Sequence, residues 1–523
     1  MRGLKKEEPV EVSNHRRLLL RRLLSHGGTD QLCPRVTINN LPDEALLEIF
    51  GFYMPYPLPP PSYEEDAWHT LVHVCPRWRY VVFGSPRRLS LRLLCMNRRL
   101  AKPLEIWPEL PIVVHVDNGI ICQLPSVTNV ISVLKRHDRV CKIFIDGAPT
   151  SLLEELRTTR MSEPFPALIE LDLVASFSED EPTIPDSFLG GSVPSLRRLN
   201  LWGVRFPAIG RLLLSTRDLV TLSLGSISRS GYIAPEAMVS ILSGLTRLKT
   251  LYLNFYHAGT PEFWTHGASQ RPPALTRVVL PALTNFAISG YSWYLENIAS
   301  RIDAPLDCIN VTFFDQPEFD ISLLRDFLGR TKILEAPHRA DISYSNGVSR
   351  ITLFQRKGDV DFKVLTFLIS CPTRYSHLSS LAQICSSFLP PLLSLEHLSI
   401  HKSEHLSPGW QNDVEDAKWM ELLRPFITVK DLVLNKPAVL SVAELALQRL
   451  TGQRVIEILP ALQNIFLEGF QSSSSVPEGI GKFIAERELA GRPVVVHYRA
   501  TVAVYNTPIV LRRLINAVHY SFD

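Results

Sequence analysis

Leu196-Arg197-Arg198-Leu199-Asn200-Leu201 has close copies on both sides: Leu168-Ile169-Glu170-Leu171-Asp172-Leu173 before it, Leu219-Val220-Thr221-Leu222-Ser223-Leu224 and Leu248-Lys249-Thr250-Leu251-Tyr252-Leu253 after it. In an extended chain alternate residues share a face, so the last two apolar residues of each L-x-x-L-x-L unit point the same way and the residue between them points the other. Each unit therefore reads as a short strand with one buried face.

The first leucines fall at 168, 196, 219 and 248, which are 28, 23 and 29 residues apart. Degenerate copies continue the series at Leu275-x-x-Val278-x-Leu280, Leu283-x-x-Phe286-x-Ile288, Val348-x-x-Ile351-x-Leu353, Leu395-x-x-Leu398-x-Ile400, Val429-x-x-Leu432-x-Leu434 and Leu462-x-x-Ile465-x-Leu467. Ile143-Phe144-Ile145 is an earlier strand. Helical spacing lies between strands, at 128–136, 151–158, 235–243, 293–301, 322–329, 379–388, 419–423 and 480–489. A strand and a helix recurring every 20 to 30 residues indicate an α/β, leucine-rich-repeat-like solenoid, with parallel strands inside and helices outside.

Composition sets the outer bounds. The 523 residues permit about three ordinary domains, and 46% hydrophobic residues supply a sizeable core. Charge is nearly balanced, 55 Lys+Arg against 52 Asp+Glu, so no nucleic-acid partner is expected. The eight cysteines have no paired spacing and read as reduced thiols of an intracellular, cytoplasmic or nuclear, protein. No apolar run is long enough for a membrane span.

Ahead of the repeats lies a different kind of segment. Asn40-Leu41-Pro42-Asp43-Glu44-Ala45-Leu46-Leu47-Glu48-Ile49-Phe50 starts a helix near Pro42, where a missing N–H and two acids suit the first turn. Leu46, Phe50 and Tyr53 form one apolar face; Ala45, Ile49 and Phe52 form a second. Trp68 to Arg79 again has helical spacing, and Tyr80-Val81-Val82-Phe83 runs into the Gly84-Ser85-Pro86 stop. So much apolar surface on a unit of about 60 residues points to a constitutive protein partner.

Leu41-Pro42-x-Glu44-x-Leu46-Leu47-x-Ile49-Phe50, Leu71-x-x-Val74-Cys75-x-x-Trp78-Arg79 and Ser85-Pro86 with Leu89 together resemble the F-box. The resemblance implies docking on the Skp subunit of a cullin-based ubiquitin ligase through Leu41, Pro42, Leu46, Ile49, Phe50, Val74, Cys75 and Trp78, with Trp78 as a natural anchor. An insertion at 54–66 separates the first two helices.

The resemblance extends further, to the large basidiomycete F-box family, through Phe83-Gly84-Ser85-Pro86-Arg87-Arg88-Leu89, Tyr294-Leu295-Glu296-Asn297-Ile298-x-x-Arg301-Ile302-Asp303-Ala304-Pro305, Ser379-Ser380-Leu381-Ala382-Gln383-Ile384-Cys385 and Leu459-Pro460-Ala461-Leu462-Gln463-Asn464-Ile465-Phe466-Leu467-Glu468-Gly469. The expected organisation is a basic segment at 1–35, an F-box at 36–95, the solenoid at 96–499 and a tail at 500–523.

Other motifs bear on chemistry or targeting. His401-Lys402-Ser403-Glu404-His405 matches the inverted zinc-peptidase signature, but it follows a strand and runs into Pro408-Gly409, whereas the chemistry needs both histidines on one helical face. Gly479-Ile480-Gly481-Lys482 has Phe483 where a phosphate loop needs Ser or Thr. Pro60-Pro61-Ser62-Tyr63 fits the pattern read by WW domains, with a stiff surface loop as the plainer reading. The patch His15 to Leu24 is basic and amphipathic, open to a targeting, a contact or a simple helical role.

No metal, cofactor or catalytic residue is expected. Arg198, Asn200, Trp202, Tyr252, Asn254, His397 and Phe466 alternate with the buried leucines and are the candidates for binding a protein target; Glu170, Thr221, Asn285, Arg350, Thr352, Ser399 and His401 share that face. The expected function is a substrate-recognition adaptor with Skp and cullin as partners. The alternative is a scaffold protein that binds Skp without assembling a ligase.

Overall fold

The computed structural model describes residues 38–53, 67–96, 109–117, 127–148, 152–155, 163–175, 183–184, 186–206, 209–226, 233–255, 277–314, 322–331, 337–345, 348–370, 377–387, 394–402, 416–435, 454–469, 476 and 478–499. The segments at 1–35, 54–66 and 500–523, with the Pro60–Tyr63 motif, lie outside them. The chain divides into two compact units, Met1–Arg92 and Leu93–Asp523.

The first unit is helical. Helix α1 (Asp43–Tyr53) begins directly after Pro42 with Asp43 and Glu44 in its first turn, and α2 (Ala67–Val74) is followed by α3 (Pro76–Gly84). The single periodic run expected from Trp68 to Arg79 is broken at Cys75, because Pro76 lacks an N–H and disfavours helical backbone in the residue before it. Cys75 is extended (φ −159°, ψ 167°) and caps α3, its Sγ accepting from the Trp78 N–H at 3.5 Å. Leu46, Phe50, Trp68, Leu71, Val72, Val81 and Val82 are buried. Trp78 packs on Phe50 with ring centroids 4.7 Å apart. Arg77 donates to Asp43 at 2.7 Å and to the Leu41 carbonyl at 2.6 Å, tying the start of α3 to the start of α1.

The second unit is mixed α/β around one large sheet. Its strands are β1 (Leu93–Met96), β2 (Ile112–Asp117), β3 (Val140–Ala148), β4 (Glu170–Ala175), β5 (Arg198–Trp202), β6 (Thr221–Gly225), β7 (Thr250–Asn254), β9 (Asn285–Gly290), β11 (Cys308–Phe314), β12 (Arg339–Ser345), β13 (Val348–Lys357), β14 (Val360–Ser370), β15 (His397–Lys402), β16 (Asp431–Asn435), β17 (Asn464–Glu468) and β18 (Val495–Arg499). Two further strands, β8 (Val278–Val279) and β10 (Ile302–Asp303), pair separately.

Helices fall between the strands: α4 (Val127–Leu134), α5 (Ile209–Leu214), α6 (Pro235–Ser243), α7 (Ser292–Ala299), α8 (Ser322–Arg330), α9 (His377–Ser387), α10 (Asp416–Leu423), α11 (Arg454–Glu457) and α12 (Glu478–Leu489); all but α5 and α11 lie near places where helical spacing predicts them.

The leucine pattern explains the ladder. Leu168, Leu196, Leu219 and Leu248 are fully buried one turn ahead of each strand, and the second and third apolar positions pair in register, as Leu199 with Leu222 and Leu201 with Leu224. The residue after each first leucine starts the pairing: the Arg197 N–H donates to Ile169, Val220 to Arg197, Lys249 to Val220 and Thr284 to Lys249. Removing one such side chain from the core costs about 2–5 kcal/mol.

The sheet order is β1-β2-β3-β4-β5-β6-β7-β9-β11-β14-β13-β12-β15-β16-β17-β18. Two expectations need correction. Val348-x-x-Ile351-x-Leu353 does form a strand, β13, but it runs antiparallel to both neighbours, β12 and β14. β14 lies parallel beside β11, and β12 lies parallel beside β15. The six-residue pattern cannot report direction, since alternation is the same read either way. The Leu275 copy yields only the two-residue β8, outside the main sheet, while Leu283 eight residues later leads into β9.

Candidate interaction surfaces

On the helical unit, burial divides α1 differently from the two expected apolar faces, because Tyr53, grouped with Leu46 and Phe50, is exposed beside Ile49 and Phe52. Leu46 and Phe50 have no exposed surface and belong to the core. Ile49, Phe52 and Tyr53 are exposed at i, i+3 and i+4, Phe52 at 60%. Val74 at the end of α2 and Tyr80 on α3 are exposed as well, Tyr80 at 76%. Of the remaining residues read as Skp contacts, Pro42 is exposed, whereas Leu41, Cys75 and Trp78 are half-buried. Phe52, Tyr53 and Tyr80 were not among those candidates; their signal was the bulk of aromatic side chains, Phe52 and Tyr53 on α1 and Tyr80 on α3.

On the sheet unit, the face opposite the leucines is a set of register rows. One row runs Asp172, Asn200, Ser223, Tyr252, Ala287 and Asn310 across β4 to β11. It continues as Thr366, Thr352, Asp341, Ser399, Val433, Phe466 and His497.

The target-binding candidates on this face separate into three places. Arg198 is exposed and Asn200 half-buried on the N-terminal flank, where Asn200 donates to Asp172 at 2.7 Å and Lys142 pairs with Glu170. Trp202, Tyr252 and Asn254 are buried instead, at 6%, 7% and 3% exposure. Trp202 stacks on Tyr252 with centroids 5.8 Å apart and packs with Val174 and Ala287. Asn254 donates to the Tyr252 hydroxyl at 3.2 Å. Burial pushes the Tyr252 phenol well above its ordinary range, partly offset by Asn254 and Ser289. These three residues build an internal cluster and do not form an open contact face.

His397 and Phe466 lie on the C-terminal flank. His397 Nδ1 is 2.9 Å from Asp431, and Asn464 donates to the same carboxylate at 2.8 Å. Phe466 stacks on His497 at 4.8 Å, with the Arg499 guanidinium 3.6 Å from its ring centroid. Nearby, Arg339 grips Asp341 through both oxygens, at 2.8 and 2.7 Å. Burial works against the Arg339 charge, but Asp341 and Asp361 outweigh it.

His401 lies next to the end of β15, with Ser399 3.0 Å from its Nε2. Burial holds its imidazole below the usual range, against the pull of Asp341 and Glu468. Ser399 is buried and Asp341 is held by Arg339, so this is not the arrangement of an accessible nucleophile with its base. Glu404 and His405 lie outside the described residues. Among the described residues no group of three His, Cys, Asp or Glu side chains is placed to hold a metal ion, and no helix is long and apolar enough to cross a membrane.

No family model matches the chain, and no curated protein matches it.

Proposed function

We propose that the protein is a substrate-recognition adaptor of a Skp-cullin-F-box ubiquitin ligase. The helical unit is the F-box, and the long parallel sheet with its intervening helices is an irregular leucine-rich-repeat solenoid that captures a protein target. The observation that carries the reading is the exposure of the apolar residues Ile49, Phe52 and Tyr53 on α1, on a small unit that also exposes Val74 and Tyr80. Large aromatics exposed together on so small a module are the composition of an interface centre.

In this reading Pro42, Ile49 and Val74 touch Skp, with Phe52, Tyr53 and Tyr80 beside them, while Leu46 and Phe50 hold α1 in shape. Leu41, Cys75 and Trp78 set the α1–α3 junction. Ubiquitin transfer is speeded by proximity alone, since a tethered target experiences a raised effective concentration of the charged enzyme.

Co-purification of the full chain with the Skp subunit and cullin tests this. Wild type should recover both partners. Ile49→Asp with Phe52→Asp should recover neither and keep the wild-type circular dichroism spectrum. Skp without cullin would overturn the ligase role, and recovery of neither partner by wild type would overturn the F-box assignment.

A further inference from the structure

Two cations on the polar face of the sheet stand apart from the rest. Arg350 on β13 and Lys363 on β14 are both half-buried, and burial pushes both side chains toward the neutral form. For Arg350 burial is the sole influence, and its buried Nε has no hydrogen-bond partner. Lys363 feels its burial first, then the Cys308 thiol and the repulsion of Arg350. Burial also pushes the Cys308 thiol up, so that group supplies no negative charge at neutral pH. Among the described residues no carboxylate acts on either cation.

The other half-buried cations of that face are arranged differently. Lys142 has Glu170, and Arg339 has Asp341 and Asp361. A desolvated charge without a counter-charge is costly, and burial in proteins is ordinarily accompanied by pairing. Two such charges, with Arg350 repelling Lys363, call for an explanation that the described residues do not supply.

Register places the pair around a set of hydrogen-bonding groups. Lys363 is opposite Phe354 and Arg350 opposite Leu368, with Thr352 opposite Thr366 between them. The two threonine hydroxyls are 3.4 Å apart. Asn310 is the register partner of Thr366 on β11, and Thr312 that of Leu368. Phe354 and Arg350 are four positions apart along β13, which sets the two cationic residues roughly 13 Å apart at their Cα atoms. Register thus sets one cationic residue on either side of two hydroxyls and an amide.

We infer that Arg350, Lys363, Thr352 and Thr366 form a binding site for a phosphate group. A phosphate monoester carries up to two negative charges, matching the two cations, and its oxygens accept from guanidinium, ammonium and hydroxyl donors together. A single carboxylate would leave one cation uncompensated. This site does not depend on the adaptor reading, because it stands on β13 and β14 and not on the helical unit.

Thermal unfolding of the full chain in phosphate, compared with chloride at matched ionic strength, tests the inference. Wild type should show a saturable rise in Tm with inorganic phosphate. Lys363→Met with Arg350→Met should lose that rise and, without phosphate, unfold at the wild-type temperature or above it, since two half-buried charges with no carboxylate partner among the described residues have gone. Phenyl phosphate and a phosphoserine peptide serve as separate arms, and the one giving the larger shift identifies a free ester or a modified chain as the source.

Phosphorus NMR of inorganic phosphate with wild-type protein provides a readout that needs no variant: line broadening reversed by excess unlabelled phenyl phosphate is expected. Absence of both the Tm rise and the broadening in wild type, or an undiminished rise in the double variant, would overturn the site.

Discussion

Gly225 shows how one missing Cβ shapes the polar face of the sheet. A Cβ there would lie inside the Trp202 indole, which covers the glycine on its way to Tyr252. Gly225→Ala should therefore destabilise the sheet unit by about 1–3 kcal/mol through overpacking, measured as a lower midpoint in urea. Arg487, fully buried on α12, has the opposite role of filling a gap with donors. It reaches the carbonyls of Ile458, Leu459 and Leu462 at 3.4, 3.3 and 3.2 Å, closing the turn ahead of β17. Arg487→Met would leave those carbonyls without that donor, a loss of about 1–3 kcal/mol, again read from the denaturation midpoint. Neither residue stood out in the sequence. A glycine opposite an aromatic on the neighbouring strand is a tertiary fact, and so is the burial of Trp202, Tyr252 and Asn254, whose alternation with leucines placed them on the polar face but could not say what covers it.

Strands and helices were largely legible as elements, because each depends on a short apolar period. The L-x-x-L-x-L copies at 168, 196, 219, 248, 283, 395, 429 and 462 all lead into strands of the main sheet. What stayed hidden was direction, as in β13, and strands without the motif, such as β14, which carries Lys363. On α1 the spacing revealed two apolar faces but not which one the helical unit would cover. That difference is measurable: Leu46→Asp should collapse the helical unit, seen as lost helical dichroism and early proteolysis between 38 and 92, because it buries an unpaired charge. Ile49→Asp, on the exposed face, should leave both unchanged. Among the repeats, Leu199→Ala should cost about 2–5 kcal/mol, with Leu222 and Leu171 packed on either side of it losing their neighbour.

Over the whole molecule, histidines set how stability responds to acid. Burial holds both His401 and His338 below the ordinary value of 6.5. Between that value and the lower folded one, the unfolded chain binds more protons than the folded chain, so stability rises with pH across the interval. Tm should fall as pH drops from about 7 to about 5.5, and His401→Asn should flatten the slope; a wild-type Tm constant over that range would refute the sign. A different consequence follows from the antiparallel strand. β12, β13 and β14 leave the ladder and return to it with β11 and β15 both running the same way, and Asn310 and Ser399 occupy the same register row. The three strands thus form a removable cassette: deleting residues 337–370 would bring two strands of like direction and matching phase edge to edge, so the stack could be shortened there without inverting any side chain.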